Sequence, residues 1–351
     1  MPLEIRSSAS VYKVNIDEEE ASEKALEREG SIFLVDKKVW AKYKTGLLWR
    51  VDTRRLILID ATERNKEFRR LRAVFLKTLA LGARKNITLV AIGGGIIQDI
   101  AGFVAATLFR GVPWVLFPST LLAQADSCIG AKSSVNLGMM KNQIGAFYPP
   151  GAIYISTRFL ATLSNTDIKS GLGEIAKLSI IDGETRWREF KTDLPALLGR
   201  DGQAIRKWIE LSLGIKKKYI EEDEFDKGIR NYLNYGHCFG HAIEAATNNR
   251  IPHGQAVSLG IILADIVALN RGYISNQRLN EHRSTINEIV DFSLDKISLN
   301  EGEIISAMGK DKKRVGSGYA VVVLHEDGHM AKLDDVHRDE LIHALHDAKG
   351  K

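Results

Sequence analysis

The chain has 351 residues, of which 44% are hydrophobic and 26% are charged, a composition that excludes a low-complexity protein and allows two domains. The net charge of +5 is spread along the chain without a basic arm, so it suits a small anionic ligand, and we expect no nucleic-acid partner. The two cysteines, Cys128 and Cys238, exclude a disulfide scaffold, and Asp99 and Asp265 interrupt the apolar stretches, so we expect a cytoplasmic protein with no membrane partner.

The first 157 residues predict an α/β domain. Residues 1–30 predict an edge strand and a surface helix, and apolar runs predict further strands at 31–36, 55–60, 88–92, before Pro118 and at 152–155. Helical spacing predicts helices at 37–49, 69–83 and 96–108. Strands that alternate with helices in this way are typical of a parallel, nucleotide-binding sheet with helices on both faces.

A glycine turn at 93–95 connects a predicted strand to a predicted helix. Glycines at such a turn allow backbone N–H groups and the helix N-terminus to approach a phosphate. Asp99 lies one turn into the helix, where its carboxylate can accept a hydrogen bond from a sugar hydroxyl. Three glycines are also typical of any tight turn, and their spacing is not Gly-x-Gly-x-x-Gly.

The stretch from 119 to 150 is expected to be rich in loops. Charged and amide side chains stand there, and just before it, among apolar and glycine residues: Arg110, Asp126, Lys132, Lys141 and Asn142. Such a mixture suits a phosphorylated ligand that carries several hydroxyl groups.

Residues 158–351 predict a second, mainly helical domain. Helical patterns occur at 167–181, 201–222, 230–246, 254–268 and 276–292. A hairpin is expected at 318–328, and a closing helix is expected to start at Asp334.

One glutamate and three histidines in this half indicate a metal site. Glu174 and Lys177 are three residues apart on one helix face, and His237 and His241 are four residues apart on another. His253 follows in the segment Ile-Pro-His-Gly. A carboxylate and two imidazoles from separate elements can bind a divalent metal and leave positions open for substrate.

Simpler interpretations of these residues stay open. A Glu with a Lys three residues later is usually an ion pair, and a single helical His is usually a core or surface residue. Arg230 and Asn234 are expected to continue the helix face of His237 and His241, which favours a site. The spacing does not say which two histidines bind metal.

Together these motifs resemble the 3-dehydroquinate synthase family, within the sugar-phosphate cyclases. The resemblance runs from about residue 87 to residue 323, and the first 85 residues match weakly, through Asp36, Glu63 and Lys66. The matching motifs, in order, are Gly-Gly-Gly-x-x-x-Asp-x-x-Gly (93–102), Pro-Ser-Thr-Leu-Leu-Ala-Gln-x-Asp-Ser (118–127), Lys-Asn-x-x-Gly-x-Phe-Tyr (141–148), Gly-x-x-Glu-x-x-Lys (171–177), Leu-Asn-x-Gly-His-x-Phe-Gly-His-Ala-Ile-Glu (233–244), His-Gly-x-Ala-Val (253–257) and Asp-Lys-Lys (311–313).

The resemblance implies a site for each ligand. It implies an NAD site formed by Asp36, Glu63, Lys66, Gly94, Gly95, Asp99, Ser119, Thr120 and Asp126. It implies a divalent metal, zinc or cobalt, on Glu174, His237 and His253, and it leaves His241 for substrate. The implied catalytic residues are Asp126, Lys132, Lys177, Lys216, Arg230, Asn234 and His241, and the other substrate-binding residues are Arg110, Lys141, Asn142 and Lys313.

The implied reaction converts 3-deoxy-arabino-heptulosonate 7-phosphate to 3-dehydroquinate and phosphate. It combines a transient oxidation by NAD⁺, phosphate elimination, re-reduction and an intramolecular aldol closure, so NAD is used catalytically. The resemblance further implies a phosphate-eliminating lyase of the shikimate pathway of aromatic amino acid biosynthesis, and a homodimer.

Departures from the family pattern leave alternatives open. The family usually has Gly-Gly-Lys-Thr where this chain has Gly-Ala-Lys-Ser at 130–133 and Thr where Ser119 stands, and these two changes bear on substrate identity. It also usually has Pro where Ser164 stands and Ser where Cys128 stands. One alternative is a related cyclase of the amino-dehydroquinate, valiolone or deoxy-inosose type. A metal-dependent polyol dehydrogenase of the glycerol type is less favoured, because that family generally has Asp where Glu174 stands.

Overall fold

The computed structural model describes residues 2–138, 140–292, 301–309 and 318–349. The chain divides into two compact units, Met1–Leu163 and Ser164–Lys351. The sequence predicts a boundary after residue 157, and the assignment of functional domains to these two parts stays a prediction.

The N-terminal unit contains a seven-stranded sheet in the order β1-β2-β9-β6-β5-β3-β4. Its strands are β1 (Leu3–Arg6), β2 (Val11–Ile16), β3 (Ile32–Asp36), β4 (Leu56–Ile59), β5 (Leu89–Gly93), β6 (Trp114–Pro118) and β9 (Ala152–Ile155), and a separate hairpin consists of β7 (Lys132–Leu137) and β8 (Met140–Phe147). Every neighbouring pair in the sheet is parallel except β1 with β2. The central strands β5 and β6 are buried along their whole length, as their apolar runs predict.

Helices connect the strands of this sheet. They are α1 (Glu19–Leu26), α2 (Lys37–Tyr43), α3 (Phe68–Ala80) and α4 (Gly95–Thr107), and shorter helical turns lie at Thr53–Arg55, Glu63–Lys66, Leu108–Arg110, Ala123–Ser127 and Thr157–Thr162. The predicted α/β class is confirmed. The helix expected at 37–49 is shorter than predicted and ends at Tyr43.

The prediction of loops between residues 119 and 150 is wrong, because β7 and β8 form an antiparallel hairpin there. Polar residues in both strands hide the apolar alternation that identifies a strand. The hairpin packs on α4 at Gly102, where a Cβ atom would lie 2.9 Å from the Cβ atom of Ser133. The N-terminal edge also contains two strands where one was predicted.

The C-terminal unit is built from helices and one antiparallel hairpin. The helices are α5 (Asn165–Ile181), α6 (Glu184–Leu198), α7 (Gly202–Glu222), α8 (His237–Ala246), α9 (His253–Asn270), α10 (Asn276–Ile289), α11 (Glu301–Gly309) and α12 (Arg338–Ala348), and the hairpin consists of β10 (Tyr319–Leu324) and β11 (Met330–Val336). Helix α9 is long and apolar enough to cross a membrane, but 83% of it is buried inside the protein, as in a core helix.

Two predictions for this unit are wrong, and the predicted helix ranges leave out α6. The helix expected at 230–246 is broken at Gly236, whose φ of 76° is left-handed. A short 3-10 turn, Ile229–Asn234, precedes the break, so Arg230 and Asn234 do not share a helix with His237. The closing helix begins at Arg338 because Asp334 still belongs to β11.

Candidate functional site

Glycines bring α5 and α9 of the C-terminal unit into direct backbone contact. A Cβ atom on Gly173 would lie 2.2 Å from the carbonyl oxygen of Gly254, and one on Gly254 would lie 1.7 Å from that of Ser170. No other residue fits at these two positions without moving a helix. Glu174 follows the first glycine and His253 precedes the second, so this contact places both side chains next to each other.

Helix α8 approaches α9 in the same way. A Cβ atom on Gly260 would lie 2.0 Å from the carbonyl oxygen of Gly236, and one on Gly240 would lie 3.0 Å from the Cα atom of Val257. Because His237 follows Gly236 directly, this close packing brings its imidazole to the same place.

Three imidazoles and one carboxylate converge as a result. The ligand nitrogens of His237, His241 and His253 lie within 4.8 Å of one another. The Glu174 Oε1 atom lies 3.6 Å from His237 Nε2 and 3.4 Å from His253 Nε2. This arrangement leaves open which imidazoles bind a metal, although the two that face Glu174 are those that the resemblance implies.

The Glu174 carboxylate carries the negative charge of this cluster. Its side chain is fully buried, and Lys177 Nζ lies 2.5 Å from Oε2 in an equally buried ion pair. Burial by itself raises the pKa of Glu174, but the charges of Lys177 and His237 hold it well below its ordinary value. Within the described residues, neither Glu174 oxygen accepts a well-directed hydrogen bond.

Two imidazoles have a polar partner at Nδ1. His237 Nδ1 lies 3.2 Å from the Tyr235 carbonyl oxygen, and His253 Nδ1 lies 3.0 Å from Glu244 Oε2. Burial and the charge of Lys177 lower the pKa of His237 well below its ordinary value. Burial lowers the pKa of His253 too, but the nearby carboxylates of Glu174 and Glu244 outweigh burial and raise it to about 10.

This donor set fits a divalent transition metal. A buried carboxylate whose Oε1 atom faces two imidazole nitrogens suits zinc or cobalt, and ligating histidines usually donate their second N–H to a carbonyl or carboxylate. An imidazole must be deprotonated at its ligand nitrogen to bind a metal, so metal binding at this cluster is expected to depend on pH.

Other predicted residues of this unit lie on separate elements. Arg230 is buried; its backbone N–H donates to Asp223 Oδ2 at 3.1 Å, and its guanidinium donates to the Glu224 carbonyl. Lys216 is buried in α7, and Asn234 donates to the Asn231 carbonyl oxygen at 3.0 Å. The prediction for Lys313 falls outside the described residues.

In the N-terminal unit, the predicted phosphate site is the turn between β5 and α4. Gly94 is the N-cap of α4, and no side chain of the described residues caps the helix there. A Cβ atom on Gly94 would lie 3.0 Å from the Cγ2 atom of Thr120, so a side chain at this position would narrow the turn. Uncapped helix N-terminal N–H groups beside a glycine turn fit the phosphates of a dinucleotide.

The other residues predicted to bind the cofactor follow the carboxyl ends of β3, β4 and β6. Asp36 ends β3, where it accepts from the Lys38 backbone N–H at 2.8 Å, and burial raises the pKa of Asp36. Glu63 and Lys66 lie in the turn after β4, and Ser119 and Thr120 follow β6. Carboxyl ends of parallel strands are where open α/β sheets bind ligands.

Lys66 connects the predicted cofactor residues to the hairpin. It is buried, and its Nζ atom lies 2.5 Å from Asp99 Oδ2 and 2.6 Å from Asn142 Oδ1. The other Asp99 oxygen accepts from the Ser134 backbone N–H at 2.8 Å. Burial raises the pKa of Asp99, although Lys66 opposes this effect.

Asn136 extends the same network and was missed as a functional residue. Its amide donates to Glu63 Oε1 at 2.7 Å, and its side-chain oxygen accepts from the Asn142 backbone N–H at 2.9 Å. The buried asparagine stands in the segment Ser-Val-Asn, which carries no recognisable motif, so only the hairpin pairing reveals its role.

Unusual backbone conformations occur at or beside four of the predicted residues. Arg110, Ala131 and Asn142 have left-handed φ values of 64°, 60° and 55°, and Asp126 lies in a π-helical turn. Ala131 precedes Lys132, whose Nζ atom lies 6.0 Å from the Phe147 ring centroid. Left-handed residues other than glycine and π-helical turns are both enriched at functional sites.

Comparison with known families and relatives agrees with these features. The family model for the 3-dehydroquinate synthase N-terminal domain matches residues 56–170, and that for the C-terminal domain matches residues 171–314. A 3-dehydroquinate synthase of Thermoanaerobacter pseudethanolicus is 37% identical over 82% of this chain and 81% of the relative. A 3-dehydroquinate synthase of Campylobacter concisus is 31% identical over 99% of both chains.

Solved structures share the fold at lower identity. A 2-deoxy-scyllo-inosose synthase complexed with carbaglucose-6-phosphate, NAD⁺ and Co²⁺ has a TM-score of 0.86 at 24% identity, covering 99% of this chain and 100% of that chain. The 2-epi-5-epi-valiolone synthase of Streptomyces hygroscopicus subsp. jinggangensis, with NAD⁺ and Zn²⁺ bound, has a TM-score of 0.85 at 22% identity, covering 98% and 99%. A glycerol dehydrogenase of Schizosaccharomyces pombe has a TM-score of 0.66 at 16% identity, covering 96% and 88%.

Proposed function

The chain belongs to the 3-dehydroquinate synthase family, and we propose that it converts 3-deoxy-arabino-heptulosonate 7-phosphate to 3-dehydroquinate and inorganic phosphate. It is a sugar-phosphate cyclase, and the identity of its substrate is part of this proposal. The observation that carries the proposal is the fully buried Glu174 carboxylate, whose Oε1 atom faces the Nε2 atoms of His237 and His253.

We assign the divalent metal, zinc or cobalt, to Glu174, His237 and His253. When bound, the metal supplies electrophilic polarisation of a substrate oxygen. Lys177 compensates the charge of Glu174 and holds its carboxylate in place. His241 belongs to the same cluster and is assigned to substrate, for which it can donate or accept a proton.

We assign the nicotinamide coenzyme to the N-terminal unit. When bound, NAD supplies a reversible hydride acceptor. The uncapped N–H groups after Gly94 suit its phosphates, and carboxylates such as Asp36 suit its ribose hydroxyls. The full set assigned to this cofactor is Asp36, Glu63, Lys66, Gly94, Gly95, Asp99, Ser119, Thr120 and Asp126.

Charged, amide and imidazole side chains of each unit are assigned to the anionic substrate. Arginine and lysine bind phosphate and carboxylate through charge-assisted hydrogen bonds. In the N-terminal unit these residues are Arg110, Asp126, Lys132, Lys141 and Asn142. In the C-terminal unit they are Lys177, Lys216, Arg230, Asn234, His241 and Lys313.

The reaction has no net redox change. One C–O bond to phosphate breaks, one C–C bond of the carbocycle forms, and the hydride that leaves a substrate carbon returns to it. The enzyme is therefore a lyase that requires NAD only in catalytic amount. We further propose a cytoplasmic homodimer that serves aromatic amino acid biosynthesis.

The test is phosphate release from 3-deoxy-arabino-heptulosonate 7-phosphate with catalytic NAD⁺ and zinc or cobalt, while NADH absorbance is followed. We expect stoichiometric phosphate release without net NADH. Turnover of sedoheptulose 7-phosphate or glucose 6-phosphate, without turnover of 3-deoxy-arabino-heptulosonate 7-phosphate, would indicate a related cyclase. Accumulation of NADH with simple polyols would contradict the proposal and indicate a dehydrogenase.

A further inference from the structure

Three buried polar side chains of the C-terminal unit have no role in the reaction described above. Tyr235 precedes α8, Asp265 lies in α9 and His282 lies in α10; the exposed fractions of the three residues are 0%, 0% and 1%. Three polar groups from three separate elements have thus been removed from water together, which is costly unless each is hydrogen-bonded.

The Asp265 carboxylate joins the other two residues. The Tyr235 hydroxyl donates a hydrogen bond to Asp265 Oδ1, and His282 Nδ1 lies 2.7 Å from Asp265 Oδ2. Each carboxylate oxygen therefore has its own partner. An apolar replacement of such a buried network is often neutral or stabilising, so fold stability alone does not explain why it is there.

Tyr235 also contacts a candidate metal ligand through its main chain. Its carbonyl oxygen lies 3.2 Å from His237 Nδ1, and only Gly236 separates the two residues. A hydrogen bond at Nδ1 leaves Nε2 as the ligand atom, and this atom lies 3.6 Å from Glu174 Oε1. Tyr235 thus makes both contacts: its hydroxyl donates to Asp265, and its carbonyl oxygen orients His237.

The second candidate ligand is held more directly. His253 Nδ1 lies 3.0 Å from the Glu244 carboxylate, without an intermediate residue. His237 donates its hydrogen bond to a backbone carbonyl, whose position depends on how firmly the turn at Tyr235 is anchored. The buried carboxylate of Asp265 provides that anchor, and His282 holds the carboxylate in turn.

We propose that Tyr235, Asp265 and His282 are positioning residues that hold His237 in the tautomer and orientation required for metal binding. The inference rests on the metal centre assigned under the proposed function. The three residues act through geometry: their hydrogen bonds fix the position of His237, and the charge of Asp265 is not required.

The test measures zinc affinity by competition with a chromophoric chelator, using the full chain without substrate. We expect Tyr235→Phe and Asp265→Leu to lower the affinity about 10-fold, at the low end of the range for residues that orient metal ligands. The visible absorption spectrum of the cobalt-loaded protein should change in the same variants. Asp265→Asn keeps hydrogen-bonding groups for both neighbours and should restore most of the affinity.

A matched control separates positioning from stability. Ile286→Val removes a methyl group from a fully buried residue of α10, the helix of His282, and should cost about 1 kcal/mol of stability while zinc affinity stays unchanged. Tyr235→Phe keeps the aromatic ring, so it provides a folded variant if Asp265→Leu does not fold.

Three outcomes would overturn the inference. Unchanged zinc affinity and an unchanged cobalt spectrum in Tyr235→Phe would do so, and so would an equal loss of affinity in Ile286→Val, since affinity would then follow stability alone. Failure of the unmodified protein to take up zinc would overturn the metal centre itself, and it is seen before any variant is compared.

Discussion

The candidate residues of the two units differ in how their polar groups are satisfied. In the C-terminal unit, Glu174 is fully buried and pairs with Lys177 through Oε2, whereas its Oε1 atom accepts no well-directed hydrogen bond from the described residues. In the N-terminal unit, Lys66 lies 2.5 Å from Asp99 and 2.6 Å from Asn142, so the polar groups bind one another.

This difference predicts two kinds of binding. A metal bound at Glu174 would give its carboxylate a partner that the protein does not supply. The glycine contacts of α5 and α9 already hold the ligand side chains together before the metal binds. A ligand at Lys66 must replace hydrogen bonds within the protein, so each bond that it forms is largely offset by one that it breaks. Substitutions around Glu174 should therefore change mainly metal binding, and substitutions around Lys66 should change mainly the affinity for a ligand.

The largest effect is expected for Glu174→Gln. Loss of the buried charge should abolish stoichiometric zinc binding and lower turnover by about 1,000-fold or more, since a metal supplies several kcal/mol of transition-state stabilisation. Metal content and steady-state rates measure this effect. Glu340→Gln is the control, because this partly buried carboxylate pairs with Arg271 and should leave zinc binding intact. Full activity of Glu174→Gln would contradict the metal assignment.

A backbone contact provides the next test. Gly254→Ala places a Cβ atom 1.7 Å from the Ser170 carbonyl oxygen, so α5 and α9 must separate, at a cost of about 3 kcal/mol in the free energy of unfolding. Chemical denaturation measures this cost, and zinc affinity should fall with it. Gly214→Ala in α7, where a Cβ atom meets nothing within 4 Å, should raise stability by about 1 kcal/mol. Equal effects of the two substitutions would show that helix contact does not shape the site.

Lys132→Ala examines the N-terminal unit. We expect kcat/KM for the phosphorylated substrate to fall about 100-fold, because a charge-assisted hydrogen bond to an anion is worth about 2–3 kcal/mol. NAD⁺ affinity, measured by calorimetry, should stay within a factor of about two of the unmodified protein, because the substitution removes contacts to the substrate and not to the cofactor. Lys42→Ala, which removes an exposed side chain that donates to the Thr162 carbonyl, is the control and should change neither quantity. An unchanged rate would remove Lys132 from the substrate site.

The smallest effect concerns a departure from the family pattern. Ala131 has a φ of 60°, a conformation that glycine adopts without strain, and glycine is usual in the family at this position. Ala131→Gly should therefore stabilise the protein by about 0.5–1 kcal/mol, the relief of strain being partly offset by the entropy of glycine in the unfolded chain. Ala73→Gly, in the exposed middle of α3, should destabilise it by about 1 kcal/mol, and destabilisation in both variants would contradict the strain argument.

The sequence by itself predicts features that depend on local spacing. The apolar runs predict the strands β3 to β6, and the glycines at 93–95 predict the turn before α4. The spacing of Glu174 and Lys177 predicts one helix face, and the two residues form a buried ion pair there. These features follow from periods of two or 3.6 residues, which neighbouring residues determine without help from the rest of the fold.

Tertiary structure alone decided the features that depend on which surfaces pack together. The helix expected through Gly236 breaks because this turn lies against Gly260 of α9, and the hairpin of β7 and β8 forms in spite of its polar strands. The contact of Lys66 with Asn142 and that of Asp265 with His282 join residues far apart in sequence. No local period encodes such contacts, since their free energy arises only when separate elements bury their polar groups against each other.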